Sequence, residues 1–204
     1  MRQFLLRRDP AYSKLRASEW LDRPHFRIRV MGPEYMLEAA QQKARELGLN
    51  ATIMVSTLSD LEACVVGDTM ANVAREIERY DRPVEAPCVF LLGGELVVTT
   101  GKGPGLGGRN QEFVTGAAHR IADSRRIVIG SADSDGSDGP TDYAVGIVDG
   151  YTMERAAEAG LDVGQALRRH NTAHLLEGLG DAFDTGILKT NVQDLRVVYV
   201  GARE

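Results

Sequence analysis

Apolar residues come along this chain in two rhythms, short unbroken runs and stripes spaced by three or four positions, and the two alternate. Residues 1–25 stand apart: they are polar, hold two prolines and keep no period. The run Phe26–Gly32 then predicts a strand. Met36, Ala40, Ala44 and Leu47 predict a helix over Glu34–Leu47, with Gly48 as its stop. Ala51–Thr57 reads as a near-continuous apolar strand. Ser59-Asp60 predicts the cap of a helix that carries Leu61, Val65, Val73 and Ile77 on one side and ends near Tyr80–Pro83. Strand, helix, strand, helix over residues 26–80 implies parallel strands covered by helices.

The alternation continues to the last residues. Pro87–Leu92 predicts a strand, and Gly93-Gly94 a hairpin turn into Glu95–Thr100. After a glycine-rich loop, Phe113, Ala117 and Ile121 mark a helix over Arg109–Ala122. Arg126–Gly130 reads as a strand buried on both faces, and an acidic loop, Ser131–Asp142, precedes the apolar stretch Ala144–Val148. Helices are expected from Asp149 to Ala159, from Asp162 towards His170, and from Asn171 or Thr172 to Gly178–Gly180. Leu195–Val200 predicts a closing strand. The expected fold class is α/β, a mostly parallel or mixed sheet with helices on both faces.

Composition narrows the function classes. A chain of 204 residues with 43% hydrophobic and 26% charged residues buries a sizeable core. A net charge of −5 and the lack of a basic stripe argue against a nucleic-acid partner. No apolar run approaches the roughly 18 residues of a membrane span, and the opening MRQFLLRRDPAY does not read as a signal peptide. Cys64 and Cys88 make neither a disulfide framework nor a thiolate metal site, so a cytoplasmic protein is the default expectation.

Two loops carry the candidate chemistry. Between Gly101 and Gly108 lie five glycines, with Lys102 at one end and Arg109 just past the other. Such a loop, ending at a helix N-terminus, suits an anion: the backbone comes close and unpaired N–H groups point outward. A plain surface loop is the alternative. Gly103, Gly105 and Gly108 satisfy G-x-G-x-x-G, yet no dedicated ribose-binding acid follows at the right distance, and no Gly-Lys is followed by Ser or Thr. The second loop sets Asp133, Asp135, Asp138 and Asp142 beside two glycines and a proline. It fails the EF-hand pattern at its sixth and twelfth positions. Mg²⁺ held by one or two carboxylates and a phosphate substrate fits better, with turn formation and helix capping as the alternative for each aspartate. His170 and His174 stand four apart, but Asn171-Thr172 is expected to break the helix between them. The tract Thr190–Asp194 either turns the chain or lines the same crevice. No Gly-x-Ser-x-Gly elbow is present.

GGRNQE (Gly107–Glu112), DGSDGPTD (Asp135–Asp142) and TNVQDLRVVYV (Thr190–Val200), in this order and spacing, resemble the MOFRL domain. That domain forms the C-terminal part of ATP-dependent glycerate kinases, which often carry the label hydroxypyruvate reductase. The resemblance implies a domain boundary, with 87–204 as the MOFRL-type domain and 1–86 as the last part of the larger N-terminal-type domain. It implies transfer of the γ-phosphoryl of ATP to D-glycerate, with Mg²⁺, in an enzyme of which this chain is a C-terminal portion. On that reading Arg109 clamps the glycerate carboxylate or the moving phosphoryl group. The N–H groups of Gly103, Gly105, Gly107 and Gly108, with Lys102, Asn110 and Asn191, line the substrate crevice. Glu95 orients Arg109, Asp133 and Asp135 hold the metal, and Asp135 and Asp138 orient the reacting hydroxyl. The implied partners are the small molecules, either a homo-oligomer or a separate N-terminal half, and no membrane. The rival readings are an NAD(P)-dependent hydroxypyruvate reductase and a binding module without catalysis.

Overall fold

The computed structural model describes residues 30–203. The strand expected over Phe26–Gly32 falls mostly outside them, and residues 30–32 have no regular structure. Residues Met31–Glu204 form one compact unit.

Helix α1 (Pro33–Glu46) opens on a proline, which suits a first turn whose N–H has no partner to lose, and it buries Leu37 and Ala44. Strand β1 (Asn50–Glu62) runs on through Ser59 and Asp60, the pair expected to cap the next helix. It is held there by pairing with β2 (Cys88–Val97): Leu58 stands opposite Gly94, Ser59 opposite Glu95 and Glu62 opposite Val97. Helix α2 (Ala63–Tyr80) follows without a loop, and its inner face is Ala63, Gly67, Met70, Ala71, Ala74 and Ile77. Of the expected stripe, Ile77 is buried and Val73 half-buried, whereas Leu61 and Val65 are 48% and 60% exposed. Small residues displace the branched ones because α3 (Arg109–Ile121) crosses at backbone contact. A Cβ on Gly67 would overlap the Phe113 carbonyl oxygen, and one on Gly116 the Cys64 carbonyl oxygen.

The hairpin expected at Gly93-Gly94 does not form; β2 passes straight through both glycines. Gly94 sits at φ +107°, where a Cβ would overlap the Leu58 backbone, and the register of β1 slips between Val55 and Leu58. The glycine therefore serves an irregularity in strand pairing rather than a chain reversal. Strands β3 (Ile127–Asp133), β4 (Val145–Asp149), β5 (Ala182–Phe183) and β6 (Asp194–Val200) complete a sheet in the order β1-β2-β6-β3-β4-β5. Among the described strands only the neighbours β1 and β2 pair in parallel; β6 runs antiparallel to both β2 and β3. The sheet is thus mixed. Because β3 buries alternate residues, it is not sealed on both faces as its composition suggests, and Val128 remains 37% exposed.

The main core lies on one face of the sheet. Phe90, Leu92, Ile127, Ile129, Val198 and Val200 pack there against α2, α3 and three short helices, α4 (Thr152–Glu158), α5 (Val163–Arg168) and α6 (Thr172–Leu179). The other face carries α1, where Leu37 and Ala44 meet Ala51, Val89 and Leu91. Among the described residues no helix is long and apolar enough to cross a membrane.

Candidate active site

The site forms where the carboxyl ends of β2 and β3, the amino end of β6 and the first turn of α3 come together. Asp194 opens β6 opposite Gly94 on one side and Asp133 on the other. Antiparallel insertion of β6 between two strands that run the same way makes that meeting unavoidable.

Arg109, the first residue of α3, is the hub. Its Nε donates to Asp194 Oδ2 at 2.8 Å, and its Nη2 donates to Asp194 Oδ1 at 3.1 Å and to Asp133 Oδ2 at 2.8 Å. Nη1 lies 3.2 Å from the exposed Glu95 carboxylate. Burial opposes the charge on Arg109, but Asp194, Asp133 and Glu95 outweigh it and hold the pKa above the usual arginine value. Behind Asp194 stands Arg196, fully buried, with Nη2 donating to Asp194 Oδ2 at 2.6 Å and Nη1 to the Gly94 carbonyl at 3.3 Å. Its guanidinium lies 5.5 Å from the Phe113 ring centre, and its Nε has no partner. Burial pulls the Arg196 pKa down despite Asp194.

Asp133 is buried beside Asp194, and this desolvation, with that neighbouring charge, pushes its pKa up to about 7; the Asp135 N–H and Arg109 pull the other way. Arg109, shared with Asp194, offsets only part of that burial penalty. Asp135 follows at the loop: its N–H donates to Asp133 Oδ1 at 3.2 Å, and its carboxylate accepts from Ser137 N at 3.0 Å and Asn191 Nδ2 at 3.4 Å. Asp142 is exposed at the far end of the loop.

Asp138 has a different position. It is fully buried beneath the first turn of α3, accepting from Asn110 N at 3.1 Å, Gln111 N at 2.9 Å and Asn110 Nδ2 at 3.2 Å. Gly108, which precedes the helix, has no side chain to cap it, and a Cβ there would overlap the Asp138 carboxylate. The acidic loop thus supplies the anion that the helix terminus favours. Burial raises the Asp138 pKa against those N–H donors.

The glycine loop is tied to protein along much of its length. Gly105 N donates to Arg169 O at 2.7 Å, Leu106 N to Asn171 Oδ1 at 3.1 Å, and Ala173 N to Leu106 O at 3.0 Å. Gly105 and Gly107 have no room for a Cβ against Asn171 and Thr172, while Gly101 and Gly103 face open space and Lys102 is exposed. Between the loop and α3 lies a cavity of about 370 Å³, lined by Gly107, Gly108, Arg109, Glu112, Pro140 and His170, among others. His170 Nδ1 is 3.2 Å from Glu112 Oε1 on its wall. Burial raises the Glu112 pKa, partly offset by His170. His174, on α6 beyond the break at Asn171, is exposed.

The structure thus brings Glu95, Arg109, Asp133 and Asp135 into one cluster, with Asn191 at its edge, and sets Asn110 and Asp138 under the helix. Sequence reasoning singled out neither Asp194 as the central carboxylate nor Arg196 and the Glu112–His170 pair. A signal for Arg196 existed: it shares the parity of Val198 and Val200, so a strand burying those two also buries the arginine. Among the described residues no three His, Cys, Asp or Glu side chains gather as a ready metal cage.

Residues 88–194 match the model of the MOFRL family. The chain is 40% identical over 167 residues to glycerate 2-kinase of Pyrococcus horikoshii, covering 81% of this chain and 37% of that protein. A relative from Agrobacterium vitis, named only provisionally as a hydroxypyruvate reductase, is 35% identical over 173 residues, with 84% and 39% covered. The crystal structure of a glycerate kinase from Thermotoga maritima superposes with a TM-score of 0.82 at 31% identity, covering 97% of this chain and 49% of that one. The chain therefore spans less than half the length of these relatives.

Proposed function

The chain belongs to the MOFRL family, and from that premise we propose that it supplies the substrate-gripping part of a glycerate kinase, which moves the γ-phosphoryl of ATP to a hydroxyl of D-glycerate. The observation that carries the reading is Arg109, fixed by Asp194 and Asp133 at a helix N-terminus on the wall of a cavity. Phosphoryl transfer is mostly positioning and charge stabilisation, and a guanidinium locked on one edge has little freedom left to lose on binding. Among the described residues its Nη1 is shared only with the exposed Glu95, so on this reading that edge meets the glycerate carboxylate or the phosphoryl oxygens.

The carboxylates fit the other half of the chemistry. Glu95, Asp133, Asp135 and Asp194 outnumber Arg109 and Arg196, and burial, with the neighbouring Asp194 charge added to it, raises the pKa of Asp133. Asp133 and Asp135 would hold Mg²⁺, which, when bound with the nucleotide, draws charge from the phosphoryl oxygens. Asp138 acts through α3, by fixing the turn that carries Arg109. Lys102 and Gly103 stand open for phosphate contacts.

The test is an assay with ATP, Mg²⁺ and D-glycerate on this chain alone and with the N-terminal portion of a relative supplied. Phosphoglycerate is expected only when that portion is supplied, and Arg109→Ala should then lower the rate by about 10²–10³. Near-normal turnover in that variant would remove Arg109 from the mechanism. Hydroxypyruvate reduction with NADH and no kinase activity would put the reductase in its place.

A further inference from the structure

On the glycine loop, sharing Pro104, Gly105 and His170 with the Arg109 cavity, opens a second cavity of about 430 Å³. Lys102 comes from the loop, and Arg168 and Arg169 from the end of α5. No acidic residue lines it. Among the described residues, the side chains of Lys102, Arg168 and Arg169 make no hydrogen bond or ion pair, although the chain as a whole is acidic. Several other arginines are paired, Arg75 with Glu78, Arg120 with Asp68 and Arg155 with Asp181; what sets Lys102, Arg168 and Arg169 apart is that all three line one cavity.

The walls of this cavity are fixed relative to each other. The bonds from Gly105 to Arg169 and from Leu106 to Asn171 stitch the loop to the junction between α5 and α6. His170 turns there at φ +51°, its ring drawn to Glu112. Three unpaired cations on two elements that cannot separate freely repel one another at a cost that an anion removes. One carboxylate is too small to meet all three, whereas adjoining phosphates spread charge over a comparable length.

We propose that Lys102, Arg168 and Arg169 form a polyphosphate subsite, taking a ligand with two or more linked phosphates whose far end reaches the Arg109 cavity. This rests on the kinase reading only in naming a nucleotide as one source of that chemistry; inorganic polyphosphate is the other.

The experiment is calorimetric titration of the whole chain with sodium tripolyphosphate, at low and physiological salt, without glycerate. Binding is expected, weakening with salt. The Arg168→Ala/Arg169→Ala variant should bind at least about tenfold more weakly, while Arg168→Lys/Arg169→Lys retains most of the affinity. These side chains are exposed, so the melting temperature without ligand should stay put; should it fall, Lys102→Ala gives the same reading. Competition separates the sources: ATP binding better than tripolyphosphate, with adenosine inert, marks a nucleotide site, and the reverse marks polyphosphate. Absence of binding, or equal affinity in the double variant, overturns the proposal. Turnover plays no part in this measurement. Loss of glycerate phosphorylation on Arg109→Ala and loss of tripolyphosphate binding here can therefore fail independently.

Discussion

Arg196 is the residue least suited to its surroundings, a full charge with no exposed surface whose Nε finds no acceptor. It is kept charged by Asp194, which also serves Arg109. The two partners are therefore unequal. Removing Arg196 leaves Asp194 with another cation, whereas removing Asp194 leaves the buried Arg196 with only the Gly94 carbonyl and takes one of its carboxylates from Arg109. Arg196→Met should lower stability by about 1–3 kcal/mol, and Asp194→Asn by more, roughly 3–5 kcal/mol, as for a broken buried pair. Urea unfolding of the two variants checks the order, and a reversed order removes Asp194 from the centre. Asp133 gives a prediction in pH. Its pKa of about 7 in the folded chain lies above the ordinary carboxylate value, so the fold favours the protonated form. Its contribution to stability is complete at acid pH below the ordinary value, and is lost as pH rises through about 7. Within that window each pH unit removes up to about 1.4 kcal/mol. Asp133→Asn should flatten this part of the stability profile, measured by denaturation from pH 4 to 8.

At the scale of elements, the crossing of α2 and α3 decides where Arg109 stands. The crossing depends on glycine: Gly116 faces the Cys64 carbonyl and Gly67 faces that of Phe113, with no room for a methyl group at either. Gly116→Ala improves helix propensity by about 1 kcal/mol, but overpacking costs about 1–3 kcal/mol or more. Net destabilisation is expected, read as a lower melting temperature, with weaker substrate binding because α3 shifts. A stabilised variant would mean that the helices yield there. The apolar stripe in the sequence located α3 correctly through Phe113, Ala117 and Ile121, all fully buried. It misjudged α2, where the buried surface is made of small residues that periodicity weighs lightly. Gly93-Gly94 reads as a turn in the sequence, and only the neighbouring Leu58 backbone makes it a strand irregularity instead.

For the molecule as a whole, β6 is the keystone strand. It pairs with β2 from Gly94↔Asp194 to Cys88↔Val200, and with β3 from Asp133↔Asp194 to Ile127↔Val200. Removing residues 194–204 splits the sheet and takes both Asp194 and Arg196 away. Loss of cooperative unfolding is expected, monitored by circular dichroism and calorimetry, rather than a milder shift in melting temperature. The sequence by itself determined the α/β alternation, the place and inner face of α3, and the two loops rich in glycine and aspartate, because those signals are local: side-chain period, glycine density, charge density. Tertiary structure alone decided that β6 enters the middle of the sheet, that Asp194 joins Arg109 to Asp133, and that Asn171 pins the glycine loop. Those pairings join residues distant along the chain, and the free energy that selects them comes from burial and strand pairing, which no local pattern encodes.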